Sequence, residues 1–274
     1  MSIIGKIEKL YRFPVKSMAG EELDQAFVGF SGVYGDRLYA FKKHGGAAFF
    51  PYLTARDTQQ MLLYKPRFRH PDVARLPIDW AQAAATSIGI TPVYGSAEEL
   101  IVDVETPRGD IYGVTDAALI DTLGTGLPDA TRLSVCHSDR ALTDGRPVSM
   151  ISRQTIDQLS RETGMSVDGR RFRANIYVDM LQQDGFSEDQ LVGRTLRLGD
   201  RVMVTLVDRD PRCAMITYDP DTGAANPELL RHVTKAHGRQ AGVYAAVITE
   251  GVVKPGDSIE LVAWSSRAID HRLC

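Results

Sequence analysis

From Ile3 to Phe13 the chain alternates, with Ile3, Gly5, Ile7 and Lys9 on one side and Leu10 and Phe13 closing into a turn at Pro14. A period of two predicts a strand over 3–13. Similar runs predict strands over 23–30, 37–42 and 100–105, separated by turn-rich stretches such as Ser31-Gly32-Val33-Tyr34-Gly35-Asp36. The second half continues with strands over 133–136, 176–178, 196–198, 202–207, 214–218, 243–248 and 258–262. Three stretches carry the helical period instead. Thr115 precedes a helix over 116–123. Ser152 is a good N-cap for a helix with Ile156 and Leu159 inward, stopped by Gly164. A helix over 227–237 turns Leu229, Leu230 and Val233 inward and ends at Gly238. The proline-rich segment 67–95 reads as an insertion or a short helix.

Two Gly-Asp turns, at Gly199-Asp200 and Gly256-Asp257, each join strand-like runs and carry hairpin chemistry. The fold class expected is therefore α+β, mainly β: a barrel with helices packed outside it, preceded by a smaller β-barrel-like domain. A composition shift near 105–115 divides the chain into 1–108 and 109–274.

Composition narrows the function classes. The 274 residues suffice for one large domain or two small ones, and 43% hydrophobic with 24% charged content is ordinary for a globular protein. A net charge of −3 gives no global basic field, so neither nucleic acid nor a membrane surface is an expected partner. No signal peptide and no membrane span are read, and a cytoplasmic location is expected. Cys136, Cys213 and Cys274 are far apart and form no CxxC or Cys/His cluster. A disulfide framework, a structural zinc and an internal iron–sulfur cluster are thereby disfavoured.

The candidate chemistry lies in local clusters. Arg209-Asp210-Pro211-Arg212-Cys213 places a cysteine beside two arginines just before an expected strand. Positive potential favours thiolate, the nucleophilic and metal-ligating form; the alternative is a buried structural thiol. Arg170-Arg171-Phe172-Arg173-Ala174-Asn175 puts three arginines around one aromatic. If extended, it would turn Arg171, Arg173 and Asn175 to one side as an anion fork; otherwise it is a solvated turn. Lys16-Ser17 and Asp36-Arg37 sit at turns and could reach an anion or simply face solvent, with Asp36 either an ion-pair partner or a turn former. The six histidines show no metal spacing, and His232 and His237 read as surface or core residues of a helix. No hydrolase, zinc-protease or nucleotide-binding motif occurs.

Taken in order, "YRFPVKSMAGEEL", "GVYGDRLYAF", "DGRPVSMISRQTIDQLS", "VDGRRFRANIYVD", "LVGRTLRLGD", "RCAMITYDPDTG" and "GVYAAVITEGVVKPGDSIELV" resemble the MOSC family over nearly the whole chain. That family is named for the C-terminal domain of molybdenum-cofactor sulfurase. The pattern is most similar to the branch of the amidoxime-reducing component. The resemblance implies a molybdenum cofactor (Mo-molybdopterin), ligated through its metal by the Cys213 thiolate, with Arg209 or Arg212 keeping the thiol deprotonated. It implies cofactor contacts at Lys16, Ser17, Arg37, Ser152, Arg171, Arg173, Asn175 and Arg212. It also implies an oxidoreductase that reduces small N-hydroxylated substrates, drawing electrons from an external ferredoxin- or cytochrome-b5-type protein. Two other readings stand beside it: a cofactor or sulfur carrier with a Cys213 persulfide, and a barrel that binds small molecules without catalysis. The sequence departs from the family pattern at Ala174, where proline is frequent. The chain also shows neither the extra cysteines of a fused ferredoxin nor room for a pyridoxal-phosphate-dependent desulfurase domain.

Overall fold

The computed structural model describes residues 2–87, 89–128 and 131–262. Seven strands close into a barrel. Around it run Ile176–Met180, Val148–Ser152, Gln240–Thr249, Val202–Pro211, Thr195–Leu198, Ser258–Leu261 and Ser2–Arg12, which returns to Ile176–Met180. Along Val202–Pro211 the side chains of Val202, Val204 and Leu206 are buried while Met203, Thr205 and Val207 are half-buried, the period of two that one apolar face requires. With Ile7, Leu10, Ile176, Val178, Leu196, Val243 and Ile259 they fill the barrel interior. One pair, Val148–Ser152 with Ile176–Met180, is parallel. A parallel pair needs a crossover, and the helix Arg153–Thr163 supplies it. It packs with the helix Glu228–His237 over a second apolar cluster that contains Leu159, Leu229 and Val233.

Three small sheets surround a separate core built from Val15, Met18, Phe41, Leu53, Met61, Val102 and Leu119. The expected division at 108/109 is crossed by strand pairing. Ser2–Arg12 lies in the barrel, Tyr39–Lys43 pairs with Leu133–His137, and Ala26–Gly29 pairs with Gly251–Val253.

Several local expectations need correction. The 214–218 segment is not a strand. The ladder of Val202–Pro211 runs past the expected 207 to Pro211, and the chain then tightens into a 3-10 turn over Ala214–Thr217, where the Thr217 hydroxyl donates to Ala214 O at 2.7 Å. Cys213 therefore follows a strand rather than preceding one. Val148–Ser152 went unpredicted because it is buried on both faces and shows no alternation. The 23–30 run breaks at Asp24-Gln25 into Glu21–Leu23 and Ala26–Gly29, which belong to different sheets. The Gly256-Asp257 turn is a corner, not a hairpin, since its flanking strands Gly251–Val253 and Ser258–Leu261 also pair in different sheets. The helix Ala117–Gly124 has Asp116, not Thr115, at its N-cap, and Leu230 is only partly buried. The insertion holds a short helix, Trp80–Thr86. Cys136 is partly exposed, and Cys274 lies outside the described residues. Among the described residues no helix is long and apolar enough to cross a membrane.

Ser152 does begin its helix. Its hydroxyl oxygen accepts from Thr155 N at 3.0 Å and donates to Glu188 Oε2 at 2.8 Å, in a fully buried setting. Thr155 also donates to the other Glu188 oxygen at 2.8 Å. Ser152→Ala removes a cap and leaves a buried carboxylate oxygen short of one donor. A loss of about 1–3 kcal/mol is expected, read as a lowered urea midpoint. An unchanged midpoint would mean that Glu188 does not depend on this hydroxyl.

Candidate functional site

A cavity of about 400 Å³ opens where the barrel rim meets the N-terminal sheets. Its wall includes Lys16, Ser17, Arg37, Arg171, Arg173, Asn175, Arg212 and Cys213. Ser152 is not part of that wall; it is committed to its helix and to Glu188.

Local folding explains the convergence. Lys16 N donates to Tyr39 O at 2.8 Å and Arg37 N to Phe13 O at 2.7 Å, tying the two expected anion-reaching turns together. Asp36 is the ion-pair partner of Arg37, and its carboxylate also accepts from the distant Phe13 N at 2.7 Å. The 171–175 segment is not extended. Arg171 lies in a 3-10 turn over Gly169–Phe172, and Arg173 is left-handed with φ 52°. The kink, rather than alternation, turns both toward the cavity. Ser17, Arg37, Arg173 and Arg239 all line this cavity, and they are four of the five non-glycine residues with positive φ among the described residues. Such backbone costs of order 1 kcal/mol each and gathers where the surrounding structure holds it for function.

The electrostatics are one-sided. Arg56, Arg146 and Arg239 join Lys16, Arg37, Arg171, Arg173 and Arg212, against only Asp144 and Asp210. Arg37, Arg146 and Arg171 are paired behind the wall with Asp36, Asp208 and Asp219, but the wall itself still presents an excess of cations in a chain of net charge −3. Lys16 Nζ donates to Leu142 O at 2.7 Å and pairs with Asp144, yet burial outweighs the pairing and pushes the ammonium below its usual range. Burial, then the neighbouring Arg37, pushes the Arg173 guanidinium down to about 9. The Arg37 and Arg173 guanidinium carbons lie 4.6 and 4.1 Å from the Phe13 ring centroid, a cation–π contact that offsets part of the crowding.

Three of these arginines carry a buried nitrogen without a hydrogen-bond partner: Arg171 Nε, Arg173 Nη2 and Arg212 Nη2. Buried donors are ordinarily satisfied, so these suit an acceptor that enters from the cavity. Arg212 is otherwise occupied, with Nε on Ala241 O at 2.7 Å and Nη1 on Phe172 O at 2.9 Å. Its Nη2 is 2.9 Å from Asp210 Oδ2, an ion pair without hydrogen-bond alignment. Gly242 makes this seat. Its φ is +79°, and a Cβ there would stand 2.6 Å from Met150 O and 3.1 Å from Arg212 Nη2.

Cys213 is a free, half-buried thiol that begins the Ala214–Thr217 turn. The two arginines beside it in sequence diverge. Arg212 lines the cavity, whereas Arg209 pairs with Asp189 at 3.5 Å and does not. The other positive groups of the wall come from residues remote in sequence, such as Lys16, Arg37 and Arg173. Asn175, 1% exposed, has its Oδ1 3.2 Å from Ser149 N and its Nδ2 3.3 Å from Tyr11 O, which locks it to two barrel strands.

Sequence reasoning missed Asp144, Asp210, Arg239 and Tyr244. Asp210 is buried at the cavity wall; burial raises its carboxyl above the usual range, against the pull of Arg212 and the Tyr244 hydroxyl. Its place between Arg209 and Arg212 was a usable signal. Nothing local distinguished Arg239 or Tyr244.

This arrangement predicts anion-dependent stability. Millimolar phosphate or molybdate is expected to raise the melting temperature of the unliganded protein by a few degrees. In Arg173→Met the increment should fall by half or more; an equal increment in both proteins would place the anion elsewhere.

Comparison with known proteins bears on the family of the chain. Residues 4–118 match the MOSC N-terminal beta barrel domain and residues 137–260 the MOSC domain. A "Molybdenum cofactor sulfurase" from Caenorhabditis briggsae is 28% identical over 149 residues, which is 51% of this chain. The match covers only 20% of that relative's length. Among solved structures, the YUAD protein from Bacillus subtilis aligns over 94% of this chain and 96% of its own, at 16% identity and a TM-score of 0.46. YiiM from Geobacillus stearothermophilus aligns over 45% and 57%, at 19% identity and a TM-score of 0.35. These structural similarities are too distant to bear on function. The two domain matches occur in order and account for most of the sequence, and the chain belongs to the MOSC family.

Proposed function

We propose that this protein holds the molybdenum cofactor through Cys213 and reduces small N-oxygenated substrates, such as N-hydroxylated amidines and hydroxylamines. Electrons would come from a separate ferredoxin- or cytochrome-b5-type protein. The observation that carries the reading is one cavity that joins a free thiol to clustered arginines with unpartnered buried nitrogens.

The donor set fits the group. A soft thiolate suits a soft metal centre, and planar guanidinium groups suit phosphate oxygens and a heterocycle edge. Lys16, Arg37 and Arg173 would meet its negative charge, with Ser17 and Arg171 at its polar edges. Asn175 positions the rim on which these stand. When bound, the cofactor supplies the two-electron redox step. The chain's own residues must manage protons, because converting N–OH to N–H with loss of water consumes two protons and two electrons. Asp210 is suited to deliver one from its carboxyl oxygen, since burial keeps it protonated to higher pH than an ordinary aspartate. A second cavity of about 410 Å³ shares Arg171, Arg173 and Met215 with the first and adds Phe13, Leu62 and Leu63 to its wall. It offers a partly apolar approach for the organic part of a substrate.

The sulfurase match favours one other reading, a sulfur or cofactor carrier in which Cys213 bears a persulfide. Metal analysis separates the two. Protein made in a host that synthesises the cofactor is expected to hold about one molybdenum per chain, and Cys213→Ala to hold almost none. Full molybdenum and reductase activity in Cys213→Ala would sink the proposal; a metal-free wild type with labile sulfane sulfur would favour the carrier.

Asp210→Asn gives a second test. With a raised pKa, the proton-donating form dominates at low pH and is lost as pH rises through the raised value. Wild-type kcat should therefore fall on the alkaline side. The variant should be slower by about 10²–10⁴ and lack that limb. A parallel pH profile in both proteins would remove Asp210 from proton delivery.

A further inference from the structure

On the outer face of the two packed helices, three side chains converge that play no part in the cavity. Glu162 lies in the last turn of Arg153–Thr163, and His232 and His237 come from Glu228–His237. The Nε2 atoms of His232 and His237 lie 2.8 and 2.6 Å from the same oxygen, Glu162 Oε2. All three ligand-type atoms fall within 4.8 Å of one another. We propose that Glu162, His232 and His237 form a binding site for a divalent transition-metal ion of the Zn(II) class.

The supporting features are physical. A carboxylate at a helix C-terminus opposes the helix dipole and gains from a cation there. The cluster is held in position. Gln158 Nε2 donates to Glu162 Oε1 at 2.7 Å, and the Phe186 ring stacks on His237 at 3.9 Å and 14°. Outer contacts of this kind orient ligands at metal sites. Side-chain exposures of 27%, 24% and 16% for Glu162, His232 and His237 leave the group reachable from solvent. Two imidazoles with one carboxylate suit Zn(II), Ni(II), Co(II) or Cu(II), and three protein ligands leave a position for water.

The ligand atoms need to open by less than about 1 Å, within reach of side-chain rotation. Bonds of about 2.0–2.1 Å in tetrahedral geometry set ligand atoms roughly 3.3 Å apart, so the 2.8 and 2.6 Å contacts to Glu162 would open by about half an ångström or a little more. Each histidine coordinates through Nε2 as neutral imidazole. Its Nε2 proton, now directed at Glu162, leaves for solvent or is replaced by one on Nδ1. No electron is transferred. The bound ion would join the two helices that cover one side of the barrel.

The test uses the full chain carrying Cys213→Ser, so that the cavity thiol cannot compete, and titrates ZnCl2 by isothermal calorimetry. One zinc per chain is expected, with a Kd of about 10 μM or tighter. His232→Ala and His237→Ala should each weaken it at least about tenfold. Glu162→Gln keeps a hydrogen-bond acceptor while removing the charge, and serves if an alanine variant fails to fold; it too should weaken binding about tenfold. Absence of saturable binding, or binding equally tight in the folded variants, overturns the proposal.

Discussion

Closure of the barrel by its N-terminal strand is the constraint on which the rest depends. Ser2–Arg12 lies between Ile176–Met180 and Ser258–Leu261, and without it the sheet has two open edges. The seam is close. A Cβ at Gly5 would stand 2.6 Å from Asp179 O, so only glycine lets these backbones approach this far. At the other end of the seam Tyr11 N donates to Asn175 O at 2.8 Å, and Asn175 Nδ2 approaches Tyr11 O at 3.3 Å. The chain therefore leaves the barrel beside the segment that carries Arg173. The next turn, with Lys16 and Ser17, is delivered to the same rim. Two parts of the sequence more than 150 residues apart form one wall because a strand pairing puts them there.

That wall gathers like charges, which proteins ordinarily disperse. Arg37 and Arg173 share the Phe13 ring, and Arg37 Nη2 donates to Arg173 O at 3.0 Å. Burial lowers both Lys16 and Arg173, because the cavity solvates their charge poorly. Left-handed backbone at four cavity residues adds to the cost. A fold tolerates both when an anion repays them on binding, and the rigid barrel behind holds the groups apart until then.

The barrel was legible where strands have one wet face. The runs at 3–13, 202–207 and 243–248 alternate and were placed. Val148–Ser152 is buried on both faces, has no period, and was not. Of the site, the thiol and arginines stood out because Arg-Cys and Arg-rich turns are compositionally unusual. Their orientations were not legible. Arg209 and Arg212 flank the same dipeptide yet go to different partners, Asp189 and the cavity, because Arg209 lies within the strand while Arg212 lies past its end, beyond a register shift. The histidines illustrate the same limit. His232 and His237 have no recognisable ligand spacing, and their meeting at Glu162 exists only once two helices pack.

Cys213 shows why a site of this kind belongs just past a strand. Its backbone is fixed from both directions: Arg212 N donates to Arg239 O at 2.8 Å, and Arg239 Nε returns a bond to Arg212 O at 2.7 Å. The following turn is closed by Thr217 on Ala214 O. A residue inside the ladder would be held as firmly, but its side chain would be confined to the apolar interior or the outer face. Two residues beyond Pro211, Cys213 keeps the rigidity of the barrel and lines the cavity at its rim. Precise placement with access is what both metal ligation and sulfur transfer demand, so geometry at this residue suits either; the arginine-lined space beside it is the feature on which the proposal of a bound anionic cofactor rests.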